Sequence, residues 1–229
     1  EGLHGAPYKG PLTRLKETVD IVRMAFRGER LEYQGKYNQL PLPGGEGKAL
    51  KSSIPPKPDM PIYLATLGPK SLELTGELAD GWLGTSFIPE HGDVLLDPIR
   101  AGAAKAGRTI ADIDIQTNAQ IAVSEDVDGL IATYRPGMAF TLGGMGSATT
   151  NFYNSAYSRA GYADVCAEVQ RLWVDGDKAG AAAAVPEELV LAAYMIGTED
   201  MVRDRVRAAE TAGINCLRLG PQGKTAAEQ

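Results

Sequence analysis

Gly68, Pro69 and Lys70 are the residues whose types and order first suggest chemistry. They follow the apolar run Pro61–Thr66 and open a stretch of helical pattern that runs to Ala79. Glycine lets a backbone approach a ligand closely. Proline at the first helical position leaves no N–H unpaired, and its fixed φ suits the helix. The other N–H groups of a first helical turn, with the helix dipole behind them, attract anions. Lys70 adds a positive charge at the same place. The run reads as a site for a phosphate-bearing ligand at the carboxyl end of a parallel strand. The alternatives are an ordinary βαβ turn that needed a glycine and a solvated lysine at a helix start.

The elements that must hold this turn are legible around it. Pro61–Thr66 is apolar and partly β-branched and aromatic, as a buried parallel strand is. Pro11–Arg27 carries Leu12, Leu15, Val19, Val22 and Phe26 on one stripe, which predicts a helix stopped by Gly28. Leu31–Leu42, with Tyr33, Tyr37 and Leu40, predicts a short hairpin. The next residues, Pro43–Met60, are rich in Gly, Pro, Lys and Ser and form a long loop, either mobile or functional. Further strands are expected at Gly81–Thr85, Ile113–Ser124 and Ile214–Leu219. Helices are expected from Pro89 or Gly92 to Ala106, and over Asp126–Tyr134, Asp164–Trp173 and Glu187–Met195, with an alanine-rich stretch, Ala179–Ala184, between the last two. A last helix opens at Thr198, a capping residue followed by Glu199 and Asp200, and ends at Gly213. Strands alternating with helices predict an α/β fold with a parallel sheet. Between them, Arg135–Tyr157 stands apart, with Gly143, Gly144 and Gly146 before Asn151, Phe152 and Tyr153. Trp82 and Trp173 are expected in the core.

Composition excludes several classes. A net charge of −6, without a basic stripe, argues against nucleic acid. No apolar run approaches the roughly 20 residues of a membrane span. Cys166 and Cys216 are the only cysteines. Two thiols in a chain of this size suit a reducing cytoplasm, with a disulfide between them as the alternative. His4 and His91 are the only histidines, and no Cys/His cluster has zinc spacing. No G-x-G-x-x-G follows a strand, so the dinucleotide fingerprint is missing.

Four stretches carry a family resemblance: Glu1–Tyr8 (EGLHGAPY), Ile62–Leu83 (IYLATLGPKSLELTGELADGWL), Gly143–Tyr162 (GGMGSATTNFYNSAYSRAGY), and the ending from Gly197-Thr198 to Leu217–Gly220. Together the chain resembles the bacterial luciferase-like superfamily. More narrowly, it is similar to the deazaflavin-dependent oxidoreductases related to methylenetetrahydromethanopterin reductase. The resemblance implies a TIM (β/α)8 barrel, with residues 1–229 forming the C-terminal part of that single domain. Ile62–Ala65 would be its fifth strand, Gly81–Gly84 the sixth, Ile113–Val123 the seventh and Cys216–Leu219 the eighth, with strands one to four lacking. A half barrel has two open edges and an uncovered inner face. The chain is therefore expected to be part of a longer protein, to pair with a second half or form a homodimer, or to be poorly stable alone.

The resemblance also implies site residues. Ala65, Thr66, Leu67, Gly68, Pro69 and Lys70 would wrap the cofactor's phosphate and tail, with His4 a polar group near that phosphate and Tyr8 a weaker candidate. Thr85 and Ser86 follow the sixth strand on the catalytic face and would touch substrate, or cap the strand end. Asn118 would point into the barrel or be a buried structural amide. Gly143–Tyr153 would form a lid or subunit contact, with Phe152 and Tyr153 packed in the core. The implied function is an oxidoreductase using coenzyme F420 to pass a hydride to or from a small organic substrate. The alternatives are an FMN-dependent monooxygenase and a non-catalytic remnant or subunit of a split barrel. No catalytic acid or base and no metal is implied.

Overall fold

The computed structural model describes residues 5, 7–147 and 149–221. Helix α1 (Pro11–Phe26) starts at Gly10, whose φ of 61° is left-handed, with Pro11 in the first helical position. The expected hairpin follows as β1 (Tyr33–Gln34) and β2 (Gln39–Leu40), paired antiparallel. Its turn is seated on α1 by the buried Glu17 carboxylate. That carboxylate accepts from the backbone N–H of Lys36 at 2.6 Å and of Asn38 at 2.8 Å. The long loop after the hairpin is tied down at its middle. Leu31 N–H donates to the Leu50 carbonyl at 2.8 Å, and the Arg30 guanidinium donates to that of Ala49 at 2.7 Å.

Next come β3 (Tyr63–Leu64), α2 (Pro69–Leu78), β4 (Gly81–Gly84), α3 (Asp93–Lys105) and β5 (Asp114–Val123). Asp80, between α2 and β4, accepts from Ile62 N–H at 2.7 Å and from the Arg23 guanidinium at 2.6 Å. One carboxylate thus fixes α1 against the start of β3. Helices α2 and α3 cross on glycines. A Cβ on Gly76 would lie 2.1 Å from the Ile99 carbonyl oxygen, and one on Gly102 would lie 1.8 Å from that of Glu73.

The chain continues through α4 (Val127–Ala139), α5 (Phe152–Tyr157), α6 (Ala163–Val174), α7 (Lys178–Ala183), α8 (Glu187–Ala193), β6 (Met195–Gly197), α9 (Glu199–Thr211) and β7 (Cys216–Pro221). Helix α4 runs five residues past the expected Tyr134 and passes into a π-helical turn, Phe140–Gly144. A second π-helical turn, Ser158–Tyr162, follows α5. Residues 127–196 pack as a helical unit with its own core of Met138, Leu142, Tyr157, Cys166, Val169 and Leu189. Met195 is a strand residue rather than the end of a helix, because β6 pairs with the far end of β5 at Ile121.

Strands β3, β4, β5 and β7 lie side by side, all parallel, in chain order. This is the order expected for four successive strands of a barrel. Among the described residues they form an open sheet, with β3 and β7 each paired on one side only. Along β5, Ile115, Thr117 and Ala119 are buried, while Asn118 and Gln120 are exposed. The buried side carries the main core, with Trp82, Leu72, Leu96, Ile99 and Ile113. Asn118 is therefore not a buried amide; it stands on the face opposite that core. Among the described residues no helix is long and apolar enough to cross a membrane.

Candidate functional site

The turn between β3 and α2 has its carbonyls occupied and its donors free. The Thr66 carbonyl accepts from Trp82 Nε1 at 2.9 Å, and that of Leu67 accepts from Arg159 Nη2 at 3.0 Å. The Gly68 carbonyl takes the Ser71 hydroxyl at 2.8 Å and Leu72 N–H at 2.9 Å. Beneath them the Thr66 and Thr75 hydroxyls are 2.6 Å apart, which pins the strand end to the helix. Among the described residues, no acceptor meets the N–H groups of Gly68, Lys70 or Ser71. Pro69 has no N–H to satisfy. Gly68 has φ −75° and ψ 148°, a conformation open to any residue. A Cβ there would meet Ser71 Oγ at 3.5 Å and the Phe152 ring at 4.0 Å, both ordinary contacts. Glycine here is not needed for the chain path; it leaves backbone uncovered beside Phe152.

An open cleft of about 820 Å³ lies over this turn. Pro11, Leu12 and Leu15 of α1 form one wall, with Tyr8 beside them. Phe152 and Tyr153, at the start of α5, form another. The lining also includes Ala65, Thr66, Leu67 and Leu83, and the more polar Gly68, Lys70, Ser71 and Thr85. Apolar walls with a few convergent polar groups are what a flat organic ring with an anionic tail requires. The donor set is free backbone N–H groups, the Ser71 hydroxyl and the exposed Lys70 ammonium, and it suits a phosphate.

The structure brings together Ala65, Thr66, Leu67, Gly68, Pro69, Lys70 and Thr85 around one cleft. Ser86 is not in that lining. Its φ is 55°, the one positive value among described non-glycine residues. His4 lies outside the described residues. Among the described residues no group of acidic, histidine or cysteine side chains could hold a metal.

Two sequence expectations are corrected here. Phe152 and Tyr153 are cleft residues rather than core; Phe152 is 47% exposed. The cause is local. Asn151 caps α5, its Oδ1 accepting from Tyr153 and Asn154 N–H while its Nδ2 donates to the carbonyls of Thr141 and Leu142. That cap fixes the first turn with Phe152 toward the open side. The asparagine ahead of the aromatic pair was the available signal. Arg159 was missed altogether, since nothing in its neighbourhood of the sequence points to residue 67.

Comparison with known proteins adds four findings. A family model described as luciferase-like monooxygenase matches residues 1–216. A Mycobacterium tuberculosis protein with the provisional name coenzyme F420-dependent oxidoreductase is 36% identical over 225 residues, 95% of this chain and 65% of its own length. The 5,10-methylenetetrahydromethanopterin reductase of Archaeoglobus fulgidus is 30% identical over 219 residues, 94% of this chain and 62% of its own. The solved coenzyme F420-dependent tetrahydromethanopterin reductase of Methanopyrus kandleri has a TM-score of 0.70 at 23% identity, covering 96% of this chain and 60% of that one. At that identity the likeness is one of fold. The chain spans less than two-thirds of the length of each of these proteins.

Proposed function

Because this chain belongs to the luciferase-like monooxygenase family, we propose that it is the cofactor-binding part of an oxidoreductase that uses coenzyme F420. The observation that carries this reading is the single cleft shared by Ala65–Lys70 and Thr85, with unpaired N–H groups at its rim. The 36% identity to a protein named as a coenzyme F420-dependent oxidoreductase supports the choice of cofactor.

In this reading the turn holds the phosphate and tail through the N–H groups of Gly68, Lys70 and Ser71 and the Lys70 ammonium. Leu12, Leu15 and Phe152 enclose the ring and keep water from it. Thr85 orients a small organic substrate, and Ser86 fixes the loop that carries Thr85. When bound, the deazaflavin supplies the carbon that gives or takes a hydride. No residue is assigned as general acid or base.

The open edges of β3 and β7 support a partial barrel completed by further strands, from more of the same protein, a second half or a homodimeric partner. A cytoplasmic location belongs to the same reading, supported by the free state of both cysteines.

The test is a titration of the purified protein with F420 and, separately, with FMN, followed by fluorescence polarisation. Preferential binding of F420 is expected. FMN preference would transfer the reading to a flavin-dependent monooxygenase. Binding of neither would move it to a subunit or remnant without a cofactor site of its own.

A further inference from the structure

The Leu67–Gly68 peptide is trans, since the one cis bond among the described residues is Leu40–Pro41. In a trans peptide the C=O and the N–H point in opposite directions. The Leu67 carbonyl is turned toward Arg159, which reaches it across 92 residues and does not line the cleft. Leu67 and Gly68 do line it. The Gly68 N–H is therefore directed away from Arg159, on the cleft side. The Trp82 indole acts alike one peptide earlier, drawing the Thr66 carbonyl toward the core.

Arg159 is unusual in its own surroundings. Its guanidinium donates to two carbonyls, those of Ser155 at 3.2 Å and Leu67 at 3.0 Å. Among the described residues it forms no ion pair, and burial pushes its pKa down with no carboxylate to oppose it. A half-buried cation without a counter-ion is unfavourable until an anion arrives. It lies two residues before Gly161, whose φ of 98° is non-helical and kinks the chain between α5 and α6.

We propose that Arg159 is a positioning residue for the phosphate-binding turn. It holds the Leu67–Gly68 peptide so that the Gly68 N–H faces the ligand, and it places an uncompensated positive charge behind that donor. The inference rests on the F420 reading and adds a residue to it from outside the turn. A role confined to folding would weaken all ligands alike. A role in phosphate binding acts only on ligands that carry one.

The experiment measures binding by fluorescence for two ligands, coenzyme F420 and its deazaflavin riboside lacking the phosphate tail. The proteins are the unmodified protein, Arg159→Gln and Arg159→Lys. Arg159→Gln is expected to weaken F420 by about tenfold or more, the loss of one charge-assisted hydrogen bond, and the riboside by less than about twofold. Arg159→Lys keeps the charge but loses the fork and should fall between. Equal losses on both ligands, or none on either, overturn the proposal. Should Arg159→Gln fail to fold, Arg159→Lys decides it: a loss confined to F420 supports the role, and a parallel loss overturns it. If the unmodified protein shows no preference for F420 over the riboside, the phosphate turn itself fails. If the preference survives in every variant, the role of Arg159 alone fails.

Discussion

The Arg159 guanidinium donates to the Leu67 carbonyl at 3.0 Å, joining the turn that follows α5 to the turn that follows β3. Ser86 is held at φ 55°, a conformation that side chains other than glycine seldom adopt. The Arg159–Leu67 bond fastens the helical unit to the loop that carries Gly68. The unit is a fixed wall, with Phe152 and Tyr153 on its inner edge.

Tyr157 is buried, and Tyr157→Phe, which keeps the ring, should change stability by no more than about 1.5 kcal/mol, the most that one side-chain hydrogen bond contributes net. Burial, then the neighbouring Tyr194, push the Tyr157 phenol above its ordinary range, and the nearby Ser86 opposes them only in part. A raised folded value makes this contribution complete below the ordinary tyrosine pKa near 10 and lost as the pH rises toward the folded value. Ultraviolet titration of the folded protein should show at least three fewer tyrosines ionising near pH ~10 than the unfolded chain shows, since Tyr33, Tyr157 and Tyr194 are all pushed well above it. Full ionisation there without unfolding would contradict the buried position.

Gly68→Val should fold, because a Cβ at Gly68 meets nothing closer than 3.5 Å. Its stability cost should stay within about 1 kcal/mol, the scale of a helix N-cap change. The branched side chain would cover the Gly68 N–H beside Phe152 and weaken F420 binding by at least about 1–3 kcal/mol, as unpaired polar groups do. Unchanged affinity in a folded variant rejects the site.

Gly102→Ala tests the helix crossing. Its Cβ would sit 1.8 Å from the Glu73 carbonyl oxygen, and the obstacle is backbone that cannot rotate away. A loss of about 1–3 kcal/mol or more is expected, as in other overpacked cores. Thermal unfolding should register it as a fall of several degrees, at about 2–4 °C per kcal/mol for a chain this long. Glu73→Ala, which leaves the carbonyl in place, should not rescue it.

Acid should loosen the hairpin before the sheet. Burial pushes the Glu17 pKa up, but the N–H bonds from Asn38, Lys36 and Tyr37 outweigh it, so the folded value lies below the ordinary 4.5. A depressed carboxylate contributes stability above its unfolded pKa and loses it as the pH falls through the folded one. The melting temperature of Glu17→Gln should trail that of the unmodified protein at neutral pH, and the gap should close in acid. A gap independent of pH would show that the charge is not what holds the turn.

Local sequence rules placed most elements within a few residues. The α1 stripe, the strand at Tyr63–Leu64 and the Thr198 cap were all legible, because periodicity and capping act over one or two turns. Those rules failed at Met195 and at Phe152. Met195 follows a helical pattern, and only its pairing with Ile121, 74 residues earlier, makes it a strand. Phe152 is as apolar as a core residue, and only the Asn151 cap turns it to the cleft.

The sequence by itself determined that a phosphate-binding type of turn follows a buried strand, since Gly68, Pro69 and Lys70 are contiguous and their backbone behaviour is local. It also carried the family likeness and the order of the parallel strands. The tertiary structure decided which way the turn faces. Trp82 and Arg159 arrive from 16 and 92 residues away to take the Thr66 and Leu67 carbonyls. A trans peptide then has no freedom left, and its N–H must face the other side. Leu12, Leu15 and Phe152 become a cleft in the same way, since residues so far apart in the chain share a surface only after α1 and α5 have packed around β3.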